Sequence, residues 1–205
     1  GERGGAVPLL RGGAAEVLKE WRPTAHADSV GWNVSFDVPP VAGTPGVVTE
    51  WVDSALVISR LDPSKGTISE VMRLAGVLQS SPSLSRDGGR VALCRWNSPT
   101  IDILDLRTKR ISTLRPRPEG LGASADSLFA QSAVWLPRGN GLLVSTYSPG
   151  GLWRVALDGR ATRLYANPNY KSPWVSGSAL SPDGHKLALV KFTQEPNVWL
   201  IEGLK

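Results

Sequence analysis

One cysteine, one methionine and two histidines in 205 residues leave little reactive chemistry. Cys94 stands alone, so an intrachain disulfide and a Cys-x-x-Cys metal pair are both excluded. It lies between Leu93 and Arg95 in an apolar stretch, where a small packed thiol is expected rather than a nucleophile. His185 follows the Asp183-Gly184 turn and reads as an exposed turn residue. His26 stands two residues before Asp28 in a Pro/Ala-rich loop, a weak basis for a catalytic base with its orienting partner. No G-x-S-x-G elbow occurs: the nearest stretch, Gly122-Ala123-Ser124-Ala125-Asp126, has Asp where the second Gly belongs. A Walker loop and a GxGxxG-helix pattern are also missing. Asp53, Asp62, Asp102, Asp105, Asp126 and Asp158 are dispersed and not spaced as a calcium loop. The expectation is a chain with no catalytic constellation, no metal and no cofactor. No apolar run approaches the roughly 20 residues that cross a bilayer. The opening Gly1-Glu2-Arg3-Gly4-Gly5 has no start methionine and no signal-peptide pattern, and reads as the edge of an excised piece.

What is present suits a packed β protein. Hydrophobic residues make up 41% of the chain and are spread along it, which argues against disorder. Gly (22) and Pro (16) are plentiful enough for many tight turns. The net charge of +5 is scattered, and its densest stretch, Arg107, Lys109, Arg110, Arg115 and Arg117, reads as a solvated turn and strand edge. No nucleic-acid partner is expected of such a distribution.

A unit recurs along the chain. Short apolar segments ending in an aromatic occupy 46–51, 90–96, 141–147 and 186–192. The closing aromatics Trp51, Trp96, Tyr147 and Phe192 are 45, 51 and 45 residues apart, a spacing in the range of propeller blades. Three of these segments follow a turn: Ser85-Arg86-Asp87-Gly88, Leu136-Pro137-Arg138-Gly139 and Ser181-Pro182-Asp183-Gly184. This is hairpin chemistry, because glycine takes a positive φ without steric cost. Small-residue strands precede the turns at 81–84, 132–135 and 176–180, suited to the innermost position of a blade. A third strand follows at 55–61, 101–106, 152–157 and 197–201. In the first three copies the aromatic stands ten residues before the final leucine, Leu61, Leu106 or Leu157. A fourth strand follows at 66–72, 109–114 and 159–164.

The expected fold is all-β: a β-propeller of about four four-stranded antiparallel blades, part of a larger propeller. It forms one region over 1–205, with a partial blade at 1–22 and blades at about 29–75, 80–116, 130–166 and 174–202, the last three-stranded. An amphipathic helix over 14–21 is the competing local assignment. A strand at 14–18 could instead close a small ring by completing the last blade. A third strand at both ends of the chain argues against that closure and for truncation.

The unit at 81–106, Ser-Pro-Ser-Leu-Ser-Arg-Asp-Gly-Gly-Arg-Val-Ala-Leu followed by Ile-Asp-Ile-Leu-Asp-Leu, resembles a TolB-like propeller repeat, a relative of WD repeats. Ser181-Pro182-Asp183-Gly184-His185-Lys186-Leu187-Ala188-Leu189 carries the same turn-and-strand signature. Gly151-Leu152-Trp153-Arg154-Val155 and Asn197-Val198-Trp199-Leu200 resemble its third strand. The resemblance covers about 46–205. Pro137-Arg138-Gly139 departs from it by replacing the acidic turn, and the first blade lacks the signature. The resemblance implies the C-terminal propeller of a bacterial winged-helix regulator or serine/threonine kinase, or the propeller of a prolyl-oligopeptidase-type peptidase. It points to the bacterial periplasm or extracytoplasmic side, while the sequence itself fixes no compartment.

A non-catalytic binding module, the sensory or interaction part of a larger bacterial regulatory protein, is therefore expected. The alternative is a peptidase propeller lacking its hydrolase. Trp51, Trp96, Trp135, Trp153 and Trp199 fall at repeat positions and are expected to pack blades, each contributing about 2–3 kcal/mol. The long connections at about 115–131 and 165–175 are expected on the loop face. Tyr165, Asn167, Asn169, Tyr170 and Trp174 in the second, with Trp32, make up the expected site for a protein, a peptide or a small polar ligand.

Overall fold

The computed structural model describes residues 6–9, 16–20, 34–37, 44–52, 54–62, 65–75, 82–95, 98–119, 128–148, 150–166, 175–181, 183–191 and 197–202. Every regular element among them is a strand. A hairpin of β1 (Ala6–Leu9) and β2 (Glu16–Glu20) comes first. Sheet 1 holds β3 (Val34–Asp37), β4 (Gly46–Val52), β5 (Ala55–Asp62) and β6 (Thr67–Ala75). Sheet 2 holds β7 (Pro82–Leu84), β8 (Arg90–Cys94), β9 (Ile101–Asp105) and β10 (Arg110–Leu114). After β11 (Arg117–Pro118), sheet 3 is built from β12 (Phe129–Trp135), β13 (Gly141–Ser148), β14 (Gly151–Ala156) and β15 (Arg160–Ala166). Sheet 4 has β16 (Val175–Leu180), β17 (Lys186–Lys191) and β18 (Asn197–Glu202).

The strands of each sheet lie in sequence order, and consecutive strands pair antiparallel. The alternative helix over 14–21 is not formed: Glu16 and Val17 pair with Leu9 and Pro8 across the first hairpin. Sheet 3 has a feature that no repeat pattern announced. Arg117 and Pro118 pair parallel with Arg160 and Ala161, so the segment leaving sheet 2 caps the outer edge of sheet 3. An unpaired edge strand is a template for aggregation, and this clip covers one. It is held by Arg117 N–H to the Gly159 carbonyl at 2.7 Å and Glu119 N–H to the Ala161 carbonyl at 2.9 Å.

Successive sheets pack face to face. Side chains alternate across a strand, so each interior sheet serves two cores. Val91, Leu93 and Leu104 of sheet 2 are buried with Val47, Leu56 and Ile58 of sheet 1, and Trp51, Met72 and Leu74 pack against that cluster. The intervening Ala92, Cys94, Ile101 and Ile103 are buried with Ala133, Trp135, Leu142 and Trp153 of sheet 3. Leu143 and Leu152 of sheet 3 meet Leu187 of sheet 4. The first strands carry the contacts between sheets: β7 packs against β3 and β4, β12 against β7 and β8, and β16 against β12 and β13.

The hairpin turns set this spacing. Gly88, Gly139 and Gly184 have φ of +68°, +65° and +76°. Each also seats its turn on the sheet before it. A Cβ on Gly88 would lie 2.7 Å from Thr44 Cγ2, and one on Gly184 would lie 2.7 Å from Pro137 Cγ. In two turns a serine and an aspartate complete the loop. Ser85 Oγ donates to Asp87 and accepts from Arg90 N–H, and Ser181 does the same with Asp183 and Lys186. The turn at Leu136 lacks these side chains yet keeps the backbone bonds, Gly139 N–H to Leu136 O at 2.8 Å and Leu136 N–H to Gly141 O at 3.0 Å. Arg90 of sheet 2 reaches across to donate to the Gly139 carbonyl at 2.9 Å.

The seam between sheets 2 and 3 is also polar. The Trp135 indole N–H donates to the Ser83 carbonyl at 2.9 Å, and Trp135 backbone N–H to Ser83 Oγ at 3.3 Å. The Arg90 guanidinium stacks 4.5 Å from the Trp135 ring centroid, an attractive arrangement when partly desolvated. Trp153 is fully buried in the same core and donates its indole N–H to Thr146 Oγ1 at 3.1 Å.

Replacing Trp153 by alanine removes the largest fully buried side chain among the described residues and is expected to cost about 3–5 kcal/mol, measured by urea denaturation. The turn carboxylates give an acid dependence. Asp87 is held below its ordinary value of 3.8 by the Ser85 hydroxyl and Gly89 N–H, and Asp183 by the Ser181 hydroxyl and His185 N–H. A carboxylate lowered on folding stabilises fully above its unfolded pKa and loses that contribution as pH falls through the folded one. Stability is therefore expected to fall below about pH 4. The Asp87→Asn/Asp183→Asn variant should be less stable at neutral pH and flatter below pH 4 in denaturation midpoints.

Candidate functional site

The inner strands do not fill the space between them. Small residues at Ser83, Ala133, Ser178 and Ala179 allow β7, β12 and β16 to come together while leaving a cavity of about 410 Å³. That volume lies within the range of small-molecule pockets, roughly 300–1,000 Å³. It suits a small ligand or a few residues of chain, and is far too small for a folded partner.

The wall combines apolar and hydrogen-bonding surface. Leu84, Val134, Trp135 and Leu180 supply the apolar part. Asp37, the last residue of β3, brings a carboxylate to the cavity, and its Oδ2 accepts the Leu84 N–H at 2.7 Å. Arg86, exposed in the Ser85–Gly88 turn, brings a guanidinium. Ser178 Oγ is buried with no hydrogen-bond partner among the described residues. Trp135 is fixed in place by Ser83 and Arg90, so one wall is rigid before any ligand arrives. Arg86, Pro137 and Ser181 place the cavity at the hairpin-turn end of the inner strands.

Of the residues singled out from sequence, Trp32, Asn167, Asn169, Tyr170 and Trp174 lie outside the described residues. Tyr165 is on β15, half-buried against the Leu143–Leu152–Leu187 cluster. It therefore does not line the cavity. Asp37 and Arg86 were not singled out in the sequence. The small-residue strands were the available signal, since they already marked Ser83 and Ser178 as innermost.

The remaining chemical candidates stay apart. His185 is exposed in its turn. Asp102 is nearly fully buried, accepts from Arg95 Nε at 2.6 Å and from the Thr113 hydroxyl at 3.1 Å, and so ties β9 to β10 and to the residue that follows β8. Among the described residues no three His, Cys, Asp or Glu gather as a metal site, and no helix is long and apolar enough to cross a membrane. Cys94 is buried in the core between sheets 2 and 3, where desolvation pushes its thiol up to about 12. The thiolate is the reactive form, so native protein should not react with a thiol reagent at pH 8. Labelling in urea should be complete, and rapid labelling of native protein would contradict the burial.

Protein-family models give no match to the chain, and no curated protein matches it. Solved structures do. TolB from Acinetobacter baumannii superposes with a TM-score of 0.60 at 22% identity, covering 78% of this chain and 39% of that one. A protein of Agrobacterium tumefaciens assigned to TolB gives a TM-score of 0.59 at 17% identity, over 82% of this chain and 60% of that one. A prolyl endopeptidase gives 0.52 at 12% identity, over 84% of this chain and 30% of that one. This chain thus spans about two fifths of the Acinetobacter protein's length. At these identities the likeness establishes fold alone: the successive antiparallel sheets are those of a TolB-like propeller.

Proposed function

We propose that this chain is a non-catalytic binding module that takes a small ligand, or a short segment of a partner, between its inner strands. The observation that carries this is the cavity of about 410 Å³, walled by a rigid tryptophan, apolar side chains, a carboxylate, a guanidinium and uncommitted hydroxyl. Apolar pockets with a few convergent polar groups are the usual form of such sites. The resemblance of Asn197-Val198-Trp199-Leu200-Ile201 to a blade of bacterial regulators and kinases supports a place in a larger bacterial regulatory protein, as its sensory or interaction part. A peptidase propeller is the second possibility, supported by the likeness to a prolyl endopeptidase; fold does not choose between them.

The test is binding of an array of synthetic peptides and small polar compounds to the chain and to two variants. Ala179 is exposed and lines the cavity, so Ala179→Phe should fill the space with little loss of stability. Binding should fall at least roughly tenfold, since the apolar contacts of a ligand would be displaced. Tyr170→Ala/Trp174→Ala probes the loop face expected from sequence. Loss of binding in the loop variant alone, at unchanged stability, would move the site out of the cavity.

A further inference from the structure

Native proteins leave few buried polar groups without a partner. Among the described residues, four such side-chain atoms occur: Gln131 Oε1, Ser132 Oγ, Ser145 Oγ and Ser178 Oγ. Three of them lie on the adjoining strands β12 and β13, and the fourth on β16, which packs against both. Ser132 and Ser145 are direct cross-strand partners of β12 and β13. The register shifts between Ala130 and Ser132, so Gln131 falls between paired positions. A bulge of this kind re-aims side chains and is common beside functional sites.

Alternation assigns the face. Ala133, Trp135, Leu142 and Val144 are buried toward sheet 2. Ser132 and Ser145 share parity with Val134 and Leu143, and Leu143 is buried against Leu187 of sheet 4. The two hydroxyls therefore face sheet 4. There β16 packs against β12 and β13, and carries Ser178 into the cavity wall beside Ala133 and Val134. Ser145 has no exposed surface at all. Its unpartnered hydroxyl is the strongest sign that this seam accommodates something the protein's own groups do not satisfy.

We infer that the seam of sheets 3 and 4 is a polar subsite formed by Gln131, Ser132, Ser145 and Ser178, joined to the cavity through Ser178, the one of the four that lines it. It takes an uncharged hydrogen-bonding group, an amide or a hydroxyl. This rests on the cavity being the binding site and adds which part of a ligand is recognised there. An uncharged group is favoured because none of the four members is ionised, Asp37 and Arg86 belonging to the cavity wall and not to the subsite. An ion held by these four groups alone would lack a counter-charge, a costly arrangement. A hydroxyl can donate or accept, so amide and alcohol groups both fit.

Two small probes test it, N-methylacetamide and glycerol, titrated into isotopically labelled protein and followed by backbone amide shifts. Saturable shifts at Gln131, Ser132, Ser145 and Ser178 are expected with at least one probe. Response to N-methylacetamide alone identifies an amide, and response to glycerol alone a hydroxyl. The Ser132→Ala/Ser178→Ala variant should weaken that binding roughly tenfold. The same variant, and Ser145→Ala, should keep or gain stability in urea, because removing an unpartnered buried hydroxyl relieves its desolvation. Loss of stability in these variants would make the hydroxyls structural and overturn the subsite. Shifts confined to Arg86 and Ala179 would overturn it too, while leaving the cavity as a binding site. Unaltered binding in Ala179→Phe would overturn the cavity reading separately.

Discussion

Everything in this molecule depends on interior sheets having to bury both faces. Residues 91–94 show the constraint most plainly. Val91 and Leu93 enter the core shared with sheet 1, while Ala92 and Cys94 enter the core shared with sheet 3. A strand serving two cores cannot alternate between apolar and polar, and the run Val-Ala-Leu-Cys does not. Polar residues are then left for turns, outer strands and the inner edge. On β10, Arg110, Ile111, Ser112 and Thr113 are all exposed, and only Leu114 returns to the core.

The inner edge is where this packing becomes useful. Sheets stacked face to face converge on their first strands, and the turn glycines allow that approach because a Cβ at Gly88 or Gly184 would collide with the neighbouring sheet. Convergence demands small side chains, and small side chains leave volume. Polar bonds across the seam of sheets 2 and 3 hold one wall of the volume rigid, through Ser83, Trp135 and Arg90. At the seam of sheets 3 and 4 the corresponding hydroxyls are uncommitted. A scaffold fixed on one side and unsatisfied on the other suits the proposed binding role. Preorganisation lowers the entropy lost on binding.

Much of the fold was legible. The Asp-Gly turns, the aromatic-to-leucine spacing and the small-residue strands pointed to four-stranded antiparallel units, and the sheets of β3–β6 and β7–β10 are such units. The turn at Leu136 departs from the acidic pattern in sequence, yet Gly139 adopts the same positive φ as Gly88. Arg90, 49 residues away, supplies a contact there from the adjoining sheet. Nothing local to residues 136–139 announces that substitution. The β11 clip was equally invisible: two residues, Arg-Pro, carry no strand signal. They pair only because β15 offers an open edge.

The site divides the same way. Sequence alone determined the turns and strands of the repeated units, because turn chemistry and side-chain alternation act between residues close along the chain. Only the tertiary structure decided that Asp37, Arg86 and Ser178, from three different sheets, share one cavity. It also decided that the Ser145 hydroxyl is buried without a partner. Those facts depend on how far one sheet's inner edge stands from the next. That distance is set by glycines and side chains dozens of residues apart.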